Sequence, residues 1–360
     1  MHMNHFSKAS VLTLISVLTF VIGWELYWRS QHLALSYNDD ESLWAHTRKE
    51  IYQTSPSRPV LIGSSRVKFD LDLAAWQRVT GEKPVQLALV GTSPRPLLND
   101  LANDPNFKGT VIIDVTEGLF FTPDGSFPER EATKRVEFYP KWSLSQQLSF
   151  HINHLLEDHL YFLDEERLSL QPLLTDLPIP PRPDTWGGPK FPKEFSVTRF
   201  DRQNVMTDAM VADTSIQNQV KAMWLEIGSH SPKQGVDGPL LTAILNSVKQ
   251  SVDRIRARGG KVIFVRMPSD GPFREAEKMG YPREKYWDRL LAHTQTAGIH
   301  FEDYPVLSKY QCPEWSHLAP KDAITFTEDF IPILQQKTGW PINVNGAKVP
   351  ATTASLSTHQ

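Results

Sequence analysis

The sequence predicts an α/β protein built on a doubly wound parallel sheet, with an apolar N-terminal helix before it and a long, largely helical insertion within it. Three observations carry this. Short apolar runs alternate with stretches of helical period. The first run, Pro59–Ile62, breaks at Gly63 into a turn bearing Ser64, Ser65 and Arg66, where an open parallel sheet exposes its chemistry. Near the other end, Glu314-Trp315-Ser316-His317-Leu318 stands just ahead of a last helix and supplies a histidine and a carboxylate for such a serine.

In chain order, Ala9 to Trp24 is almost unbroken apolar sequence, with Lys8 before it and Trp24, Tyr27 and Trp28 after it. Residues 1–28 read as a transmembrane anchor or a secretion signal. Interface aromatics and the lack of an Ala-x-Ala site favour the uncleaved anchor. A polar juxtamembrane stretch, Ser36 to Ser57, leads into the α/β domain, expected over 55–120 and 235–340. Its strands are expected at Pro59–Ile62, Val85–Leu89, Thr110–Val115, Lys261–Arg266 and about Ile299–Glu302.

The helices between them carry their own signals. The chain turns helical around Leu71 to Val79. Ser93 reads as an N-cap with Pro94 at the first helical position, followed by Leu97, Leu98 and Leu101 on one face. From about Pro239 to Arg258, Leu241, Ile244, Leu245, Val248, Val252 and Ile255 recur at helical spacing, and Gly259-Gly260 stops the helix. The intervening 121–234 reads as an inserted lid or substrate region. It is expected to hold a helix through Ser143–Glu166 (Leu144, Leu148, Ile152, Leu155, Leu156, His159), a stiff connector Pro178–Pro183, and a helical piece ending near Ile227. The small, polar tail 343–360 reads as disordered.

Composition excludes several classes. A net charge of −3 without a basic stripe argues against a nucleic-acid partner. Cys312, the single cysteine, forms no internal disulfide, and with His317 it is too sparse for a zinc site, so no metal is expected. There is no phosphate cradle with a Walker lysine, and Gly63-Ser64-Ser65-Arg66-Val67 lacks the last glycine of an α/β-hydrolase elbow. No cofactor is expected.

A Gly-x-Ser turn after the first strand, Gly91 after the second, and Glu314-x-x-His317 before the final helix, in that order, resemble the SGNH/GDSL hydrolase superfamily. The closest likeness is to its membrane-anchored branch of alginate and cell-wall O-acetylation proteins. The chain departs from the family pattern at three points. Ser64 stands where the family has aspartate, Glu314 replaces an aspartate, and Ile112 to Gly118 contains no asparagine to complete the oxyanion hole.

The resemblance implies a three-layer flavodoxin-like sheet. It implies Ser65 as nucleophile, His317 as general base and acid, Glu314 as its orienting carboxylate, and the amides of Ser65 and Gly91 as oxyanion donors. Arg66 and Asn99 are candidates for the missing donor or for substrate contacts, although a surface arginine and a solvated helix residue describe them as well. Arg266, at the end of the fourth strand, is a candidate for binding an anionic or polyol group, or for pinning its loop through Asp270. The implied protein is a single-pass inner-membrane esterase or O-acyltransferase, its domain on the periplasmic or extracellular side. It would act on a carbohydrate and work with a multi-spanning membrane acyltransferase. A non-catalytic scaffold binding a glycan or an envelope protein is the alternative.

Overall fold

The computed structural model describes residues 5–31, 34–53, 58–168, 187–232 and 234–340, with positions 172, 174 and 177. The connector Pro178–Pro183 and the tail 343–360 lie outside the described residues. Seven strands are present among these: β1 (Pro59–Ile62), β2 (Val85–Gln86), β3 (Thr110–Asp114), β4 (Ser196–Thr198), β5 (Asn204–Met206), β6 (Lys261–Arg266) and β7 (Gly298–His300). Five of them form one sheet in the order β2-β1-β3-β6-β7, with every pair parallel, while β4 and β5 form an antiparallel hairpin.

Alternation along the strands sets two apolar faces. Val60, Ile62, Val111, Ile113, Val262 and Phe264 join the helices Arg95–Asn103 and Gly238–Ala257 in one cluster. Leu61, Ile112, Ile263 and Val265 point the other way, into the helices Leu73–Thr80 and Pro320–Thr338. A strand buried on both faces reads as a continuous apolar run, which is why β1, β3 and β6 are legible.

Several boundaries differ from expectation. Regular pairing of β2 stops at Gln86, yet Leu87 and Leu89 still donate to Leu61 O (2.8 Å) and Gly63 O (3.1 Å), carrying the chain to the edge of the sheet. The last strand is Gly298–His300, and Phe301–Asp303 is a 3₁₀ turn. Helix begins directly at Ser65 (Ser65–Asp70), breaks, and resumes at Leu73. Pro94, not Ser93, is the cap of Arg95–Asn103, and Ser93 Oγ accepts from Arg95 N at 3.4 Å. The Ser143–Glu166 helix ends at Glu157, with Ser143 and Gln146 closing a capping box.

The polar juxtamembrane stretch packs against the body over its described part. Its helix Glu41–Glu50 buries Trp44 and Arg48; the Trp44 indole donates to Leu87 O (3.0 Å), and Arg48 pairs with Asp100 and Asp104 at 2.8 Å each. The α/β body therefore begins before residue 55. At the N-terminus, Phe6–Ser30 is one helix of 25 residues with mean hydropathy 1.9. At 1.5 Å per residue it is long and apolar enough to cross the ~30 Å hydrocarbon of a membrane.

Candidate active site

Ser65 sits where β1 ends. The turn needs glycine at 63, because a Cβ there would lie 2.5 Å from Asp114 Cβ and 2.8 Å from Val67 Cγ1. Ser64 then caps the short helix, its Oγ accepting from Arg66 N at 3.5 Å, so Ser65 occupies the first helical position. There its amide has no carbonyl one turn behind to bond. Ser65 is partly exposed, whereas Ser64 and Arg66 on either side are buried.

The histidine arrives from the segment before the last helix. His317 Nε2 accepts from Ser65 Oγ–H at 2.8 Å, and its Nδ1–H donates to Glu314 Oε1 at 2.8 Å. A carboxylate can only accept, so Glu314 fixes the tautomer that leaves Nε2 free to take a proton. The backbone between them is strained, with Trp315 at φ +77°, and Trp315 O accepts from Asp270 N at 2.8 Å. Leu318 N donates to Asp70 Oδ1 at 2.9 Å, tying this loop to the helix that carries Ser65.

Glu314 is fully buried, and its second oxygen is also satisfied. The Trp224 indole N–H donates to Oε2 from the helix Thr214–His230 of the inserted region. Phe69 lies 4.3 Å from the His317 ring by centroid, and Phe195 and Trp224 each lie 6.0 Å away. The inserted hairpin and helix therefore wrap the imidazole and seal its carboxylate from water. Trp224 escaped sequence reasoning because a lone indole in an amphipathic helix looks like any packing residue.

Behind the serine lies a second buried polar group. Asp114, at the end of β3, accepts from Ser64 N (3.3 Å), Ser64 Oγ (3.0 Å) and Thr116 Oγ1 (3.2 Å). Burial pushes its carboxyl above the ordinary value, against the pull of Arg66 and Arg266.

Arg66 and Arg266, expected as contacts for substrate, do not face it. Both are about 1% exposed. Arg66 pairs with Glu277 at 2.5 Å; Arg266 pairs with Glu117 at 3.0 Å and also with Glu277. A buried guanidinium needs a carboxylate, and the helix Gly271–Gly280 provides Glu277 to both. Arg266 is not held by Asp270, which instead caps that helix through Gly271 N. Asn99 is exposed and accepts from Asn103 Nδ2 at 3.1 Å along its own helix.

Gly91 lies two residues beyond the Leu89–Gly63 bond, at the same edge as Ser65. It takes φ +67° with open space around its Cα, and its amide makes no hydrogen bond among the described residues. No metal-binding group of three or more His, Cys, Asp or Glu side chains occurs among the described residues. A cleft lined by Tyr37, Phe150, His154, Glu157 and Phe200 shares no residue with this site, so it is not where a substrate would meet Ser65.

In comparisons with known proteins, no protein-family model matches the chain and no curated protein matches it.

Proposed function

We propose that the chain is a membrane-tethered serine esterase or O-acyltransferase of SGNH type. One observation carries this: the Ser65–His317–Glu314 relay, each link 2.8 Å, with the serine accessible and the carboxylate dry. The arrangement at the carboxyl edge of a parallel sheet supports it. Counted within the sheet, the strand order is 2-1-3-4-5 with helices on both faces, the flavodoxin-like order that the SGNH reading requires.

The chemistry follows from the atoms present. Ser65 Oγ attacks an ester carbonyl while His317 Nε2 takes its proton; the imidazolium is stabilised by Glu314. The tetrahedral oxyanion is held by the amides of Ser65 and Gly91. Collapse expels the alcohol, which leaves with the proton from His317, and an acyl group remains on Ser65. Water or a sugar hydroxyl then attacks the acyl-enzyme, deprotonated by His317, and Ser65 is regenerated.

The class of substrate rests on the resemblance: an acetyl group and an envelope or extracellular carbohydrate, with a multi-spanning membrane acyltransferase as donor partner. The half-buried aromatic faces near the site, Phe191, Trp224, Phe273 and Trp315, suit sugar rings. The N-terminal helix supports a single-pass tether; placing the domain on the periplasmic or extracellular side rests on the resemblance. Incubating the full chain and its Ser65→Ala variant with an activated acetyl ester and measuring intact mass tests the reading. An acetyl adduct on the first alone is expected. If neither folded protein gains an adduct or turns over the ester, the nucleophile assignment is wrong and the binding-scaffold reading takes its place.

A further inference from the structure

The helix Leu144–Glu157 is turned inside out. Gln147, Phe150, His154 and Glu157 face the body; Phe150 lies 5.2 Å from His46, and His154 stacks on Phe200. Its aliphatic side chains face away: Leu144, Leu148, Ile152, Leu155 and Leu156 are 42–82% exposed. With 3.6 residues per turn they share a stripe about 120° wide. A surface helix in water turns such a stripe inward, and nothing covers this one among the described residues.

Its position in the fold says what covers it. Directly after this helix, the chain is bound to the end of the apolar N-terminal helix. Arg29 Nη2 donates to His159 O (2.8 Å), and the amides of Tyr161 and Phe162 donate to the Glu25 carboxylate at 3.1 and 3.2 Å. The Arg29 guanidinium also lies 5.0 Å over the Tyr161 ring. Trp24, Tyr27 and Trp28 cluster at the same level of the N-terminal helix, where aromatic side chains mark the boundary between hydrocarbon and headgroups. The stripe is therefore pinned to the span at the depth of a bilayer surface. Its composition suits lipid rather than protein: it is Leu and Ile throughout, without the Trp, Tyr or Arg that anchor protein interfaces.

We infer that Leu144–Glu157 lies in the surface of the bilayer that the N-terminal helix spans, its Leu/Ile stripe among the acyl chains. This rests on the single-pass reading above. The body is then held to the membrane at two places, by the span and by this helix, so its tilt relative to the surface is set.

The test uses the full chain in phosphatidylcholine nanodiscs, with an environment-sensitive fluorophore on Leu148→Cys or Leu155→Cys, and with brominated acyl chains as quencher. Cys312 is buried, and the unsubstituted chain serves as the labelling blank. Leu18→Cys reports on the span and Asp253→Cys on an exposed position of the helix Gly238–Ala257, which packs on the sheet. Emission from 148 and 155 is expected to fall about two-fold alongside that from 18, as for a group about 5–10 Å into the acyl boundary, with 253 unchanged. Quenching at 18 alone overturns the proposal and leaves the span standing. Blue-shifted but unquenched emission at 148 also overturns it, and assigns the stripe to a second copy or a partner protein. If 18 itself is unquenched, the single-pass reading fails and this inference falls with it.

Discussion

Glu314 accepts from two donors brought together by distant parts of the chain, His317 three residues on and Trp224 from the insertion. The triad and this second donor make three predictions. Glu314→Gln is expected to lower ester turnover about 10⁴-fold, because an amide presents a donor that favours the wrong imidazole tautomer. Ser65→Ala is expected to cost about 10⁶-fold. Trp224→Phe keeps the ring but strands a buried carboxylate oxygen; a kcat loss of about ten-fold with KM unchanged is expected, the equivalent of ~1–2 kcal/mol. Stopped-flow or steady-state kinetics on an activated ester measures all three. An unchanged kcat for Trp224→Phe would mean that the indole only packs.

At the scale of elements, the turn between β1 and its helix decides where Ser65 points. Asp114 and Val67 press on Gly63 from β3 and from the helix itself, so the strand, the turn and the third strand must move together. Gly63→Ala is expected to cost about 1–3 kcal/mol by overpacking and to displace Ser65, lowering both Tm and adduct formation. A variant with the native Tm would show that the close approach is not there. The insertion is the other element that matters. Its hairpin and helix form a small apolar cluster of Phe195, Met206, Met210 and Val220 with Phe69, and that cluster holds Trp224 and Phe195 against His317. Phe195 and Trp224 of this region therefore form part of the shell around His317 and Glu314.

Across the whole molecule, buried ion pairs join what the sheet alone leaves separate. Glu277 receives Arg66, Arg266 and Ser269; burial raises its carboxyl, but the two guanidinium groups outweigh that and hold it well below the ordinary value. Asp39 behaves alike: burial raises it, but Arg202 and Lys68 hold it lower still. A carboxyl whose pKa is depressed on folding stabilises the fold above its unfolded value and loses that contribution as pH falls toward the folded one. The contribution of these two carboxylates should therefore be complete above about pH 4.5 and decline below it. Chemical denaturation across pH 2 to 6 would show it, and Glu277→Gln should flatten that acid limb. A limb unchanged by Glu277→Gln would sink the assignment. Removing one partner, as in Arg66→Met, is expected to cost about 3–5 kcal/mol, since it leaves Glu277 with less charge compensation.

Local signals determined much of this protein. Apolar runs bounded by glycine marked β1, β3 and β6, helical spacing marked Gly238–Ala257, and the unbroken apolar stretch marked the N-terminal helix. The motifs Gly63-x-Ser65 and Glu314-x-x-His317 named the three residues that the fold joins by hydrogen bonds, because each motif lies next to a strand end or helix start with a recognisable signature. What escaped depends on contacts between distant segments, which no periodicity records. Glu41–Glu50 looked like a polar linker because its burial rests largely on Leu43, Trp44 and Arg48. Arg66 and Arg266 looked available because their carboxylate partner, Glu277, is far away in sequence for one and lies across a loop for the other. The stripe of Leu144–Glu157 was legible as a helix, but its outward orientation was not: periodicity shows that a helix has an apolar face, and only the tertiary structure decides whether protein lies against it.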